Sequence, residues 1–231
     1  PRKERPSMTT LDALLAELKA YRSGPGVFNP YADVDPVNDM GPEAPSIRLR
    51  QLALYLQPRI PGASYLLVGE AMGFQGGRFS GIAMTSERIL LGQHATVQAD
   101  WVLPSGAPQR TSRPAIKPNG FNEPTATIAW GALHDTGLRP TAFIIWNSFP
   151  FHPYHPDRGP LTNRTPTPEE LTTGARFLRQ LLALCPAVKV IAVGLKAAAT
   201  LDDLGVPCTP VRHPANGGAN QFREGIRAIV R

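Results

Sequence analysis

Residues 64–69 read SYLLVG, a short apolar run closed by a glycine. The same form returns at 142–147 (AFIIWN) and 188–194 (VKVIAVG), and more weakly at 206–213 (VPCTPVRH). Runs this short, apolar at consecutive positions, predict strands buried on both faces. Helical segments fill the intervals. TATIAWGALHDTG closes on Gly137, LKAAATLDDLG closes on Gly205, and ANQFREGIRAIVR ends the chain. A helix from Pro168 to about Leu184 has a full start: Thr167 as cap, Pro168 in first position, Glu170 three after the cap. Upstream, Leu11, Leu14, Leu15 and Leu18 set a helix over Thr9 to Arg22, and Ile47, Leu49, Leu52 and Leu56 set another over Ile47 to Leu56. Strands alternating with helices predict an α/β fold: a three-layer α/β/α sandwich with a central four-stranded, mostly parallel sheet.

At 231 residues the chain is expected to form one domain, 1–231. Its first 45 residues would be a helix and a Pro/Gly-rich extension, with SGPGVFNPYADVDPVNDMGPEAPS irregular, and 92–124 a Pro-rich insertion. The 25 prolines and 21 glycines imply long, stiff loops. No apolar run reaches the roughly 18 residues that span a membrane. PRKERPSMTT has no apolar stretch behind its charges, so it does not read as a secretory signal. Two cysteines, Cys185 and Cys208, are too few for a four-cysteine metal site and read as buried small apolar residues in a reducing cytoplasm. The formal net charge of +6 invites an anionic partner such as nucleic acid.

In parallel sheets, ligands bind at the carboxyl ends of the strands. The residues there are Gly69-Glu70-Ala71-Met72-Gly73-Phe74 after the first strand and Asn147-Ser148-Phe149 after the second. Arg212-His213-Pro214-Ala215-Asn216-Gly217-Gly218 follow the fourth. One carboxylate, one carboxamide, one imidazole and two glycine-rich loops would share one cleft. The first loop has neither the phosphate-loop lysine nor the dinucleotide glycine spacing. His152 and His155, as His-Pro-Tyr-His, suggest a metal only faintly, because the proline forces an extended loop; no metal site is expected.

Four ordered blocks between about Leu66 and Phe222 resemble the uracil-DNA glycosylase superfamily. LLVGEAMG resembles its first motif, Gly-Glu-Ala-Pro-Gly in several bacterial branches. GIAMTSE resembles the segment whose ring stacks on the flipped base. IIWNSFPFHP resembles the strand with the base-reading Asn, and RHPANGG the His-Pro loop. NRTPTPEEL is similar to a run in the iron–sulfur branch, whose cysteines are absent here.

The resemblance implies hydrolysis of an N-glycosidic bond in DNA carrying uracil or a related lesion. It assigns Glu70, Asn147 and His213 to catalysis, with Asn147 also reading the base. Gly69, Ala71, Met72, Gly73, Phe74 and Met84 would bind substrate, Phe74 as a pocket wall and Met84 in place of a stacking Phe. Arg212, Ala215, Asn216, Gly217, Gly218 and Arg223 would contact DNA. Glu70 would position water or stabilise the oxocarbenium ion; otherwise it accepts a hydrogen bond behind the site, and catalysis is weaker or uses another acid such as Glu87 or Glu123. Gly73 stands where some relatives place a bulky ring against the thymine methyl; with glycine there, thymine is not excluded on that side and the pocket is open to other deaminated or damaged bases. Arg110, Arg113 and Lys117 would add positive field or lie in a solvated loop. No cofactor, no membrane, a monomeric state and a cytoplasmic, nucleoid-associated location (bacterial) are the accompanying expectations. The competing readings are a glycosylase for hypoxanthine or xanthine, a degenerate member that binds damaged DNA without excision, and a nucleotide-binding α/β protein.

Overall fold

The computed structural model describes residues 10–230. In chain order the elements are α1 (Leu11–Ala20), β1 (Val27–Phe28), α2 (Ala44–Leu56), β2 (Tyr65–Ala71), α3 (Gly77–Ser80), α4 (Glu87–Leu90), α5 (Ala99–Val102) and α6 (Pro124–His134). They continue with β3 (Phe143–Phe149), β4 (His152–Pro153), α7 (Pro168–Leu184), β5 (Lys189–Val193), α8 (Leu195–Asp203), β6 (Thr209–Val211) and α9 (Ala219–Ile229).

The four expected strands are β2, β3, β5 and β6. They form one parallel sheet in the order β3-β2-β5-β6, flanked by helices. Leu66, Leu67, Ile144, Ile145 and Ile191 are fully buried in it, which is why these strands carry no polar alternation. Each such side chain contributes roughly 1.5–3 kcal/mol of burial. The parallel order sends every strand's carboxyl end to one edge.

Helix ends follow local chemistry. The Thr10 hydroxyl accepts from the Ala13 N–H at 3.1 Å and starts α1; Thr9, the expected first residue, lies outside the described residues, as does PRKERPSM. Pro45 in the first turn starts α2 three residues before the expected Ile47. At α7 the capping box of Thr167 and Glu170 forms as expected. Among the described residues no helix is long and apolar enough to cross a membrane.

The stretch expected to be irregular and the Pro-rich insertion are both more ordered than their composition suggests. Val27–Phe28 pairs antiparallel with His152–Pro153. Behind it the Arg48 guanidinium is fully buried and all its donors are used, toward Pro30 O, Asp33 O, Arg78 O and both Asp39 carboxylate oxygens. A buried arginine this well satisfied fixes the loop in one arrangement. The 92–124 insertion is stitched down likewise. Arg110 donates to Lys117 O and Pro118 O, and Arg113 to Pro36 O and Asp39 O. Glu87 Oε1 accepts from the Thr111 and Ser112 backbone N–H groups at 2.7 and 2.9 Å. Glu87 therefore serves the fold and is withdrawn as a candidate acid. Cys185 is buried, its thiol pKa pushed up by burial to about 11, whereas Cys208 is only half-buried.

Candidate active site

At the carboxyl edge of the sheet, a cavity of about 540 Å³ brings Glu70, Asn147 and His213 together. That size is within the roughly 300–1,000 Å³ of small-molecule sites. Gly69, Ala71, Met72, Gly73, Met84, Ala215 and Asn216 also line it, each named from the sequence.

The innermost group is Asn147. Parallel pairing sets its Cα directly beside that of Gly69. A β carbon on residue 69 would lie 2.7 Å from Asn147 Oδ1, so glycine there makes the room the carboxamide occupies. Met84 Sδ stands 3.5 Å from the same point, and Met84 adopts φ 45°, a left-handed conformation uncommon for a long side chain. Asn147 is 1% exposed, yet neither its Nδ2 nor its Oδ1 has a hydrogen-bond partner. Buried amides are nearly always paired, so an orphaned one facing a cavity marks a place for a ligand's polar edge.

His213 enters from the loop after β6. The Ala215 N–H donates to its Nδ1 at 3.1 Å, so Nδ1 is an acceptor and the proton of the neutral ring sits on Nε2. Burial, aided by the Arg212 guanidinium and opposed by Glu70, lowers the imidazole pKa from 6.5. The loop packs back on itself at Gly218: a β carbon there would lie 2.1 Å from His213 O. Gly218 thus shapes the loop. Asn216 and Gly217 form its exposed left-handed tip.

Glu70, the penultimate residue of β2, stands at the cavity rim, about a third exposed, with Lys196 Nζ 3.2 Å from its Oε1. Alternation would turn residues 70 and 71 to opposite faces, but at the strand's end both reach the cavity. No carboxylate stands at Ala71.

Some expected residues lie elsewhere. Phe74 does not line the cavity; its backbone N–H is tied to Asn163 Oδ1 at 3.0 Å. Arg212, Gly217, Gly218 and Arg223 lie outside the lining, in the loop and helix behind Ala215 and Asn216. Of the His-Pro-Tyr-His pair, His152 is architectural: its ring nitrogens face Met72 O and Pro160 O at 2.9 Å each, and burial lowers its pKa to about 4. Arg164 clamps Glu170 and holds Tyr154 O and Gly26 O, so NRTPTPEEL ties α7 to the chain beside β1 and β4.

Other lining residues were less legible. Thr125 and Ile128 come from α6, and Asn163 from a loop. Lys196 does not line the cavity but reaches Glu70 on its rim, and the strand-end rule could have found it two residues past Gly194. Glu123, named only as an alternative acid, lines the cavity at the start of α6. Thr125 donates to its Oε1 at 2.8 Å, while Oε2 is sealed from solvent without a partner. Gly76 leaves the space for it, since a β carbon there would lie 1.7 Å from Oε2. Burial raises its pKa above 4.5. The folded state therefore resists ionising Glu123, while the unfolded chain ionises it freely above pH 4.5. The resulting penalty is absent below that pH and full above the folded pKa. Glu123→Gln is expected to stabilise the fold by about 1 kcal/mol at neutral pH. The gain should vanish in acid, as checked by urea unfolding across pH.

The model of the Uracil DNA glycosylase superfamily matches residues 61–229. The chain is also similar to the crystal structure of wild-type Pedobacter heparinus SMUG2, with a TM-score of 0.61 over 95% of this chain and 94% of that one. At 14% identity that likeness is one of fold. No curated protein matches the chain.

Proposed function

The chain belongs to the uracil DNA glycosylase superfamily, and from that premise we propose that it excises uracil from DNA by hydrolysing the N-glycosidic bond, leaving an abasic site. The observation that carries this reading is the buried Asn147 carboxamide, unpartnered and in one cavity with His213 and Glu70.

A base inside a duplex must first be flipped out, which costs roughly a few kcal/mol and least for a mispaired base. Asn147 then accepts from uracil N3–H and donates to O4. Cytosine offers the reverse pattern at these positions, and a buried amide left unpaired would reject it. As the C1′–N1 bond breaks, its electron pair goes to the base and positive charge grows on the sugar. His213 Nε2–H donates to the base oxygen where negative charge collects, which neutral imidazole can do. Glu70 faces the positive sugar and orients the water whose oxygen bonds to C1′. The water's proton passes to Glu70 and on to solvent, and the base anion takes a proton from solvent.

Arg212, Arg223, the Ala215–Gly218 loop and the start of α9 are the proposed contacts to the strand. Such contacts are mostly to phosphate, so binding should weaken steeply with salt.

The test incubates the protein with uracil-containing and matched thymine-containing oligonucleotides and scores alkali-labile abasic sites. Cleavage confined to uracil strands is the expected result. Salt-sensitive duplex binding with no abasic product would instead favour a binding module. Cleavage only at hypoxanthine or xanthine would favour another lesion.

A further inference from the structure

We infer that Leu195 is the apolar side chain that enters the base stack when the target nucleotide leaves it. The inference rests on the proposed action on DNA and deepens it.

Strand order supplies the first part of the argument. β5 lies between β2, which carries Glu70 next to its last residue, and β6, which leads to His213. The carboxyl end of β5 is therefore at the middle of the cleft edge. Yet no residue from 189–196 lines the cavity. What β5 presents there is Gly194, Leu195 and Lys196. Gly194 donates its N–H to Val211 O at 2.9 Å, and its β position lies 3.1 Å from His213 Cβ. Lys196 Nζ reaches Glu70 Oε1 at 3.2 Å and Thr165 Oγ1 at 2.5 Å. Residue 195 is thus bracketed by neighbours that touch the two groups flanking the reaction.

Exposure supplies the second part. Leu195 is 86% exposed, the most of any large apolar residue on the described surface. α8 is held to the sheet by Ala197 and Leu201, not by Leu195. A single exposed leucine is ordinary on a protein surface. Location distinguishes this one: Leu138 precedes β3 at the opposite end of the sheet, and Val34, Val37 and Met40 lie between β1 and α2. Charge agrees with a DNA partner, because Lys196 and Arg212, both exposed, adjoin Leu195 and His213 in the chain.

The third part is the composition of the His213 loop. Between His213 and α9 it offers Pro214, which is buried, then Ala215, Asn216, Gly217 and Gly218. None is a large exposed apolar group. Proteins that unstack DNA fill the gap with apolar side chains such as leucine, and on this edge Leu195 has that chemistry.

The experiment compares excision of uracil from duplex and single-stranded oligonucleotides by the wild-type chain, Leu195→Ala and Leu195→Met. Fluorescence of 2-aminopurine placed beside the uracil reports flipping. Leu195→Ala is expected to lower the duplex-to-single-strand ratio of kcat/KM about tenfold or more, because only the duplex must be unstacked. It should also suppress the fluorescence rise on duplex, and Leu195→Met should restore both. An unchanged ratio, or equal losses on both substrates, overturns the inference. If the wild type excises from neither substrate, the uracil reading fails; the fluorescence of bound duplex then decides Leu195 separately.

Discussion

Alanine at position 213 is expected to slow base excision about 10²–10³-fold, the usual effect of removing one donor to a developing oxyanion, while leaving duplex affinity nearly unchanged. The asymmetry follows from when the contact matters. The Nε2–H donor meets a nearly neutral carbonyl in the bound substrate and a charged oxygen as the bond breaks. Its removal therefore affects the transition state more than the ground state. The ring is prepared for this role by its own loop, where the Ala215 N–H occupies Nδ1 at 3.1 Å. Protonating the ring would turn that contact into one between two donors. Together with burial, this should keep the neutral ring, and the excision rate, in place at pH values below the ordinary 6.5. Single-turnover excision and fluorescence anisotropy on the same duplex separate the two effects. Wild-type turnover by His213→Ala would falsify the assignment of this residue to the chemistry.

Asn147→Asp should reduce uracil excision by about 10²-fold or more, because a carboxylate cannot donate to O4 and repels it. The same change offers an acceptor to the cytosine amine, so abasic product from cytosine strands should rise from background. A companion variant tests why the wild-type residue is there. Both amide atoms of Asn147 are buried without partners, so the folded chain bears their desolvation until a ligand arrives. Replacing such a group with an apolar one of similar shape is close to neutral or stabilising. Asn147→Leu should therefore melt no lower than the parent and excise nothing. If it instead unfolds the protein, Asn147 is a structural residue and the base-reading assignment falls.

The departures from the family pattern acquire different meanings in three dimensions. Ala71 and Met72 both line the cavity, so neither is displaced from the site by its changed chemistry. Met84 reaches to within 3.5 Å of the Gly69 β position, on the floor where Asn147 lies. Its thioether can contact a ring without a ring's rigidity. Glu70 is left as the carboxylate at the rim, paired with Lys196, and Glu123 as the enclosed one. Two carboxyl groups in such unequal surroundings suit different tasks.

The chain's own text was enough for the sheet and for the edge where Glu70, Asn147 and His213 gather, but not for the strand ends: β2 and β3 run on to Ala71 and Phe149, two residues past the expected Gly69 and Asn147. Buried parallel strands must be apolar throughout, and parallel order sends all their carboxyl ends to one edge. Helix α7 was equally plain, since its capping box is written within four consecutive residues, Thr167 to Glu170. Two kinds of information were missing. Elements of two to four residues, such as β1, β4 and α3, are too short to show a period. Contacts between distant segments leave no local trace: Glu87 with Ser112, Lys196 with Glu70, Gly76 with Glu123. Only packing decided which carboxylate is consumed by the fold, which is paired at the rim and which has one oxygen sealed without a partner. A carboxyl group's chemistry depends on the burial and charge around it, and those are supplied by residues far away in the chain.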